Sequence, residues 1–349
     1  MLVLAPNWLG DVVMALPAVA DLRRQCPRAR LTVAARRTVA EVFRLVPFVD
    51  RIVTLEWSGR WWQRRAFRDD VARVRETGAD VAILLPNSFA SAWLVTHAGI
   101  PERWGYAADF RRRLLTRTVP RPGGSMHQGA YYQYLTRELG IDSGPLEPAL
   151  TVSNAAADAA RRLLVERGWD ASRPLVVWAP GAAYGTAKRW LPEYVAQLAA
   201  RLVRERGATC VLVGSRADRD TATQIRAAVS ADAAAHVLDL TGETTIESLA
   251  GILAAASACV SNDSGAMHVA AAVGAPLVAL FGPTNEYETS PLTREGRRAA
   301  VLTHPVWCRP CMLRECPIDH RCMTRITPER VYDALDGVVR GVRLQADLA

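Results

Sequence analysis

Short β-branched or Leu-rich runs alternate along this chain with longer amphipathic ones. The short runs predict strands buried on both faces and the long ones predict helices, so the alternation points to α/β structure with parallel sheets. In the first half strands are expected at Leu2–Ala5, Leu31–Ala35, Arg51–Leu55 and Val81–Leu85, with helices near Val12–Gln25, Val39–Val46, Trp62–Thr77 and Ser88–Ala98. Pro17 falls inside the first helix and is expected to kink it or shift its start. The second half restarts the pattern, with strands at Leu175–Ala179, Cys210–Val213, Val237–Leu240, Cys259–Ser261 and Leu277–Phe281. Its helices are expected near Pro192–Arg206, Ala217–Val229, Ile246–Ala255 and Ala266–Val273. A mixed stretch rich in Pro, Gly and Tyr, 120–152, separates the halves, with the linker near 145–175. The expected architecture is two Rossmann-like domains facing a central cleft, residues 1–155 and 156–327. A last helix within 328–349 has no following strand and is free to cross back to the N-terminal domain.

Ligands of such sheets bind beyond the carboxyl ends of the strands, and every motif with chemical content falls at such an end. The stretch Ser261–Thr284 carries the densest signal: an apolar strand, a polar turn, then at once a helix of small residues. The turn sets Asp263, Ser264 and Gly265 at the helix N-terminus, where unpaired N–H groups and the positive dipole end favour an anion. Gly265 lets a phosphate approach with no Cβ in the way. His268, one turn beyond Ser264, projects toward the same end. An ordinary capped β-α-β unit would use the same residue types, so the other motifs must decide.

Gly10 permits a tight turn after the first strand, and Asp11 then sits at or next to a helix N-terminus, as a cap or as a general base toward a substrate hydroxyl. Gly181 and Gly185 make a flexible loop closed by Lys188 and Arg189. A lysine there can neutralise a departing diphosphate without a metal, or it is half of a surface basic pair. Asp218, beyond a strand that ends in Gly214, can accept a ribose hydrogen bond or serve as a helix-terminal acid. Neither GxGxxG nor GxxxxGK[ST] occurs at the 181–190 loop, which argues against hydride transfer and P-loop chemistry.

At 349 residues, half of them hydrophobic, the chain has material for two globular cores. The first twenty residues lack the basic start of a signal peptide and are interrupted by Asp11, and no apolar run reaches membrane-spanning length, so a cytoplasmic location is expected. A net charge of +8, mostly from Arg, suits an acidic partner: nucleic acid, an anionic membrane face or a phosphorylated substrate. Its clusters lie at Arg60–Arg68, interleaved with Trp61 and Trp62, and at Arg111–Arg113. Acids at both strand-end sites, Asp11 and Asp263, would repel a phosphate backbone, so no nucleic-acid partner is expected. Cys308, Cys311, Cys316 and Cys322, with His320 among them, suit a structural zinc or a reduced, metal-free loop equally well. Four thiolates would leave no open position for a catalytic metal. Cys26, Cys210 and Cys259 read as core.

Four segments together resemble the ADP-heptose:lipopolysaccharide heptosyltransferases, glycosyltransferase family 9, over almost the whole chain. They are Pro6-Asn-Trp-Leu-Gly-Asp-Val-Val-Met-Ala-Leu-Pro17, Leu85-Pro-Asn-Ser-Phe-Ala-Ser-Ala92, Pro180-Gly-Ala through Lys188-Arg-Trp190, and Asn262-Asp-Ser-Gly-Ala-Met-His-Val-Ala-Ala271. The Asn-Trp-Leu-Gly-Asp spelling and the Cys-rich tail favour the heptosyltransferase II branch. The resemblance implies the GT-B fold, an ADP-heptose donor, a lipid A inner-core acceptor, and inversion at the anomeric carbon with no cofactor required for catalysis. It implies Asp11 as general base, Lys188 on the donor's phosphate side, Asp263 on the heptose hydroxyls, and Ser264, Gly265 and His268 at the diphosphate. Gly181 and Asp218 fall to the donor; Asn87, Ser88, Arg60 and Arg64 fall to the acceptor, with peripheral contact at the inner membrane face. Where some family members carry hydroxyl residues before the lysine, this chain has Ala182 and Ala183, with Tyr184 and Thr186 nearby. The alternatives are a GT-B enzyme of the cell envelope using another nucleotide sugar, or a non-catalytic nucleotide or nucleic-acid binder.

Overall fold

The apolar runs pair with one another in parallel, which requires a crossover between partners and places helices against the sheet faces. The computed structural model describes residues 1–296 and 298–340 and divides into two units, Met1–Thr151 and Val152–Ala349. The first unit runs β1 (Leu2–Leu4), α1 (Leu9–Gln25), β2 (Thr32–Arg36), α2 (Arg37–Ala40), β3 (Arg51–Leu55), α3 (Arg64–Arg75), β4 (Val81–Leu84), α4 (Phe89–His97), β5 (Glu102–Tyr106), β6 (Arg117–Val119) and α5 (Gln128–Glu138). The second begins with α6 (Asn154–Glu166), β7 (Leu175–Ala179), α7 (Pro192–Arg206), β8 (Thr209–Leu212), α8 (Arg219–Ala228), β9 (Val237–Asp239) and α9 (Ile246–Ala255). It continues through β10 (Ala258–Asn262), α10 (Gly265–Val273), β11 (Leu277–Phe281), α11 (Glu286–Thr289), β12 (Ala299–Thr303), α12 (Arg321–Thr324) and α13 (Pro328–Arg340).

Each unit holds one six-stranded sheet, ordered β3-β2-β1-β4-β5-β6 in the first and β12-β11-β10-β7-β8-β9 in the second. All neighbours are parallel. Both sheets therefore have the doubly wound Rossmann order, with the chain reversing direction between β1 and β4 and again between β7 and β10. The central strands are buried on both faces, as the continuous apolar runs require. In the second unit the fully buried rings of Trp178 and Trp190 stack with centroids 6.4 Å apart. The Trp190 indole N–H is satisfied by the Ile326 carbonyl at 2.8 Å, as a buried donor demands.

Several expectations are corrected. α1 runs unbroken through the buried Pro17 and starts at Leu9 rather than Val12. The expected helix over Val39–Val46 is the short α2 followed by a 3-10 turn, Glu41–Leu45. β5, β6 and β12 extend the sheets beyond the predicted strands, and α6 occupies part of the expected linker. The division falls at Thr151–Val152, ahead of the expected 155, because α6 packs on α9 of the second unit. α13 packs on α7, β10, β11 and β12 of its own unit, burying Val331, Leu335 and Val338; the rest of the segment expected to cross back, residues 341–349, lies outside the described residues. Among the described residues no helix is long and apolar enough to cross a membrane.

Candidate active site

A doubly wound sheet opens a crevice where its strand order reverses, because the loops on either side of that point diverge toward opposite faces. In the first unit the flanking loops follow β1 and β4 and carry Asp11 and Asn87; in the second they follow β7 and β10 and carry Gly181–Lys188 and Asp263. Topology thus selects the residues that the motifs singled out.

In the second unit the Lys188 ammonium donates to Asp263 Oδ2 at 2.6 Å, and Thr284 Oγ1 donates to the same oxygen at 2.7 Å. The side chains of Lys188 and Asp263 are only 12% and 5% exposed, so each charge needs the other. Lys188 also lies over the Tyr184 ring, 4.8 Å from its centroid. An ammonium has three donors, so the bond to Asp263 fixes its position while leaving capacity for an anion. Asp263 leads directly into α10, whose N-cap, Ser264, makes no side-chain cap. The Ser264 hydroxyl instead lies 3.2 Å from that of Ser261. The first-turn amides from Gly265 onward are therefore presented uncapped beside a fixed lysine, an arrangement that suits a diphosphate. His268 is buried in the next turn.

The loop carrying Lys188 is fixed at both ends by one side chain. Asn262 accepts from the Trp190 N–H at 3.2 Å and donates to the Pro180 carbonyl at 2.6 Å. Asn262 lies within one of the sequence motifs but has no assigned part there; its signal is a polar amide at the buried end of a strand, which must be bonded. Between those ends the Cys-rich segment braces the loop. Ala187 N–H donates to the Arg314 carbonyl at 2.9 Å, His320 Nε2 donates to the Ala187 carbonyl at 2.7 Å, and the Tyr184 hydroxyl donates to the Met312 carbonyl at 2.6 Å. A Cβ on Gly185 would lie 2.2 Å from the Arg314 carbonyl oxygen, so that glycine serves close packing.

Gly181 has the same explanation: a Cβ there would lie 2.3 Å from the Asp218 carboxyl group. Asp218 accepts from the Ser215 N–H at 2.9 Å and its hydroxyl at 2.7 Å in a capping box, which is the helix-terminal alternative the sequence had left open.

Of the two readings of the Cys-rich segment, the structural zinc is not supported. Cys308, Cys311, Cys316 and Cys322 line one pocket, but among the described residues no three His, Cys, Asp or Glu side chains are arranged to hold a metal. The physical reason is visible in two of the candidates: Cys322 is drawn into the apolar core and His320 is engaged with Ala187. Burial first, then the neighbouring Cys316, Cys311 and Cys308, push the Cys322 thiol up to about 11.

In the first unit Asp11 lies in the first turn of α1, half-buried, behind an N-cap Trp8 that makes no side-chain cap. Burial and then the charge of Asp11 hold the Tyr132 phenol well above its ordinary range, which places that carboxylate beside α5. Asn87 donates to the neighbouring Tyr131 hydroxyl at 2.9 Å, while its buried Oδ1 has no partner among the described residues. Ser88 is occupied as the N-cap of α4, accepting from the Ser91 N–H at 3.3 Å.

A pocket beyond the carboxyl ends of β1 to β4 is lined by Asn7, Arg36, Trp57, Gly59, Ser88 and Ala90 among others. Its guanidinium is Arg36, anchored on the Ser58 carbonyl at 3.1 Å and held below its ordinary pKa first by burial. The expected acceptor residues Arg60 and Arg64 do not line this pocket; both are exposed, Arg60 with its guanidinium 5.5 Å from the Trp62 ring centroid. Arg111, read from sequence as part of a basic cluster, is fully buried instead. It donates through Nε to the Tyr106 carbonyl at 3.0 Å and through Nη1 to Ser91 Oγ at 2.8 Å and the Pro86 carbonyl, holding the loop that carries Asn87. Desolvation pushes its pKa down to about 10. Nothing in the local sequence separates Arg36 and Arg111 from the many exposed arginines. Lys188 did carry a signal: it is the only lysine in the chain.

The sequence profile of Glycosyltransferase family 9 (heptosyltransferase) matches residues 70–321. Lipopolysaccharide heptosyltransferase 2 of Salmonella typhimurium is 31% identical over 349 aligned residues, covering 97% of this chain and 98% of that one. Lipooligosaccharide heptosyltransferase 2 of Haemophilus ducreyi is 31% identical over 347, covering 96% and 98%. Among solved structures, ADP-heptose lps heptosyltransferase II of E. coli superposes with a TM-score of 0.83 at 30% identity, covering 98% of this chain and 99% of that one.

Proposed function

The chain belongs to glycosyltransferase family 9, the heptosyltransferases, and we propose on that footing that it transfers heptose from ADP-heptose to an inner-core heptose of lipopolysaccharide, with inversion and without a metal. It has the GT-B fold and is a glycosyltransferase. The observation that supports the donor assignment is the fixed ammonium of Lys188 beside the uncapped N-terminus of α10. In an inverting transfer the acceptor hydroxyl attacks the anomeric carbon from the face opposite ADP, and the bond from that carbon to the diphosphate oxygen breaks. Asp11 takes the hydroxyl proton as the new glycosidic bond forms. Negative charge grows on the departing diphosphate and is met by Lys188 and the amides that follow Ser264, donors fixed in place before the reaction.

Asp263 then has two tasks, orienting Lys188 through Oδ2 and offering its other oxygen to the sugar hydroxyls. Asn87 and the pocket around Arg36 and Trp57 are read as the acceptor's place. Because that acceptor is lipid-anchored, the enzyme works in peripheral contact with the inner membrane face. The test is ADP release from a panel of nucleotide sugars with a purified inner-core acceptor. Release from ADP-heptose alone supports the reading; release from another nucleotide sugar in preference to it replaces the donor.

A further inference from the structure

Large aromatic side chains left in water are unusual on a soluble domain, and the first unit gathers several around the start of α4. Trp61 is 76% exposed, Trp62 58% and Phe110 99%. Phe89 and Trp93 are also exposed, and their rings stack with centroids 5.7 Å apart. Three segments meet here. A Cβ on Gly59 would sit 3.5 Å from that of Ala90, which brings the β3–α3 loop against α4. The Phe89 N–H donates to Asp109 Oδ2 at 2.5 Å, which brings the Phe110 turn to the same helix end.

Two of the three segments are held by a buried group. The β3–α3 loop is fixed by the fully buried Asp70, which accepts from the Trp57 N–H at 2.8 Å. The Phe110 turn is fixed by the buried Arg111. Asp109 and Phe110 both have left-handed backbones, φ 49° and 54°, a conformation that is sterically costly for a bulky side chain. Structure that over-determines such a turn, only to hold a phenyl ring in water, points to a use for the ring.

The surrounding charge is mostly positive, with Asp69 and Asp109 the exposed acids on α3 and the Phe110 turn. Arg60, Arg64, Arg65, Arg68, Arg112 and Arg113 are exposed, and none forms an ion pair among the described residues. Arg64 and Arg65 occupy the first turn of α3, where the helix dipole disfavours a cation, so helix stability does not account for them.

We propose that this face seats on a bilayer that carries anionic headgroups, with Phe110, Trp61 and Trp62 entering the interface and the arginines contacting the lipid phosphates. Aromatic rings at headgroup depth beside Arg are the composition that binds such an interface. A single-stranded nucleic acid is the less suited occupant, since the Trp61 and Trp62 rings stand perpendicular and offer no parallel faces to successive bases. The proposal rests on the reading of the acceptor as lipid-anchored, because Phe89 follows directly on Asn87 and Ser88.

The test is cosedimentation of the full chain with phosphatidylcholine vesicles, with and without phosphatidylglycerol. The wild type should sediment only with the doped vesicles. Phe110→Ser and a Trp61→Ser/Trp62→Ser double variant should each lower partitioning about tenfold, and each of Arg112→Ser and Arg113→Ser about fivefold. These side chains are exposed, so transfer from ADP-heptose to a water-soluble, delipidated core acceptor should be unchanged. Failure of the wild type to sediment, full binding by the aromatic variants, or release of bound protein by RNA would each overturn the proposal. Absence of transfer to the soluble acceptor by the wild type would instead refute the transferase reading, and the vesicle result would stand apart from it.

Discussion

Replacing Lys188 by Met removes one member of a pair whose other member stays buried. Asp263 would keep the Thr284 hydroxyl as a donor to Oδ2 but lose its counter-charge. Stranding one partner of a buried ion pair typically costs about 3–5 kcal/mol. The Thr284 bond and the residual exposure of Lys188 favour the lower end, about 3 kcal/mol. A further Asp263→Asn change removes the stranded charge and keeps the Thr284 contact, so the double variant should regain about 1–2 kcal/mol, the coupling expected of residues in direct contact. Denaturant unfolding measures both quantities. Catalysis answers separately. Loss of a fixed donor to a developing anion costs about 10²–10³-fold in kcat, and the double variant, still without the ammonium, should not recover it. Stability that returns while turnover stays low is the expected signature. A Lys188→Met enzyme that is destabilised yet turns over within a few-fold of the wild type would refute the leaving-group role and leave the lysine a structural partner of Asp263.

Asp11→Asn should lower kcat by about 10²-fold or more with ADP affinity unchanged, because a base is needed only as the hydroxyl attacks; calorimetry with ADP alongside initial rates checks this, and near-normal turnover removes Asp11 from the mechanism. Since Lys188 is the only lysine of the sequence, it is the one side-chain target of an amine-selective reagent. Peptide mapping should show ADP protecting Lys188; equal labelling with and without ADP would place the nucleotide elsewhere. Burial pushes the Cys210 and Cys259 thiols up to about 12 and is the largest cause of the Cys322 shift to about 11, from an ordinary 9.0. These folded-state values are raised, so the thiols' contribution to stability is intact below pH 9 and is lost as pH climbs through 11 to 12. Thiol titration of the native protein at pH 8 should therefore find Cys316 reactive and those three protected until denaturant is added, and rapid labelling of Cys322 would contradict its burial.

The central strands were legible because a strand buried on both faces must be apolar throughout, as Leu-Val-Leu of β1 and Leu-Val-Ala-Leu-Phe of β11 are. β5, Glu-Arg-Trp-Gly-Tyr, and β6, Arg-Thr-Val, lie toward one edge of their sheet, where polar side chains are tolerated, and they left no such run. Asp11, Asn87, Lys188 and Asp263 were found because strand ends mark the site. Their connections were not legible. The Lys188–Asp263 contact joins residues brought together by the pairing of β7 with β10, which no local pattern announces. Arg36 and Arg111 were hidden by sheer abundance, since burial and not residue type sets them apart. The cysteine spacing left zinc and a metal-free loop undecided for a related reason: it reports the order of side chains along the chain, whereas coordination depends on where each one turns.

The Asn262 amide has a consequence for how the nucleotide is received. With Pro180 and Trp190 stapled to one side chain, and Ala187 pinned from both its N–H and its carbonyl, the intervening segment has little freedom left to surrender when ADP-heptose arrives. Association should then be nearly lock-and-key on this side, with a small entropic toll and no slow ordering phase. Cutting the staple, for instance with Asn262→Ala, should convert that rigid cradle into a floppy one, seen as slower, multiphasic ADP binding before any change in the chemistry of transfer.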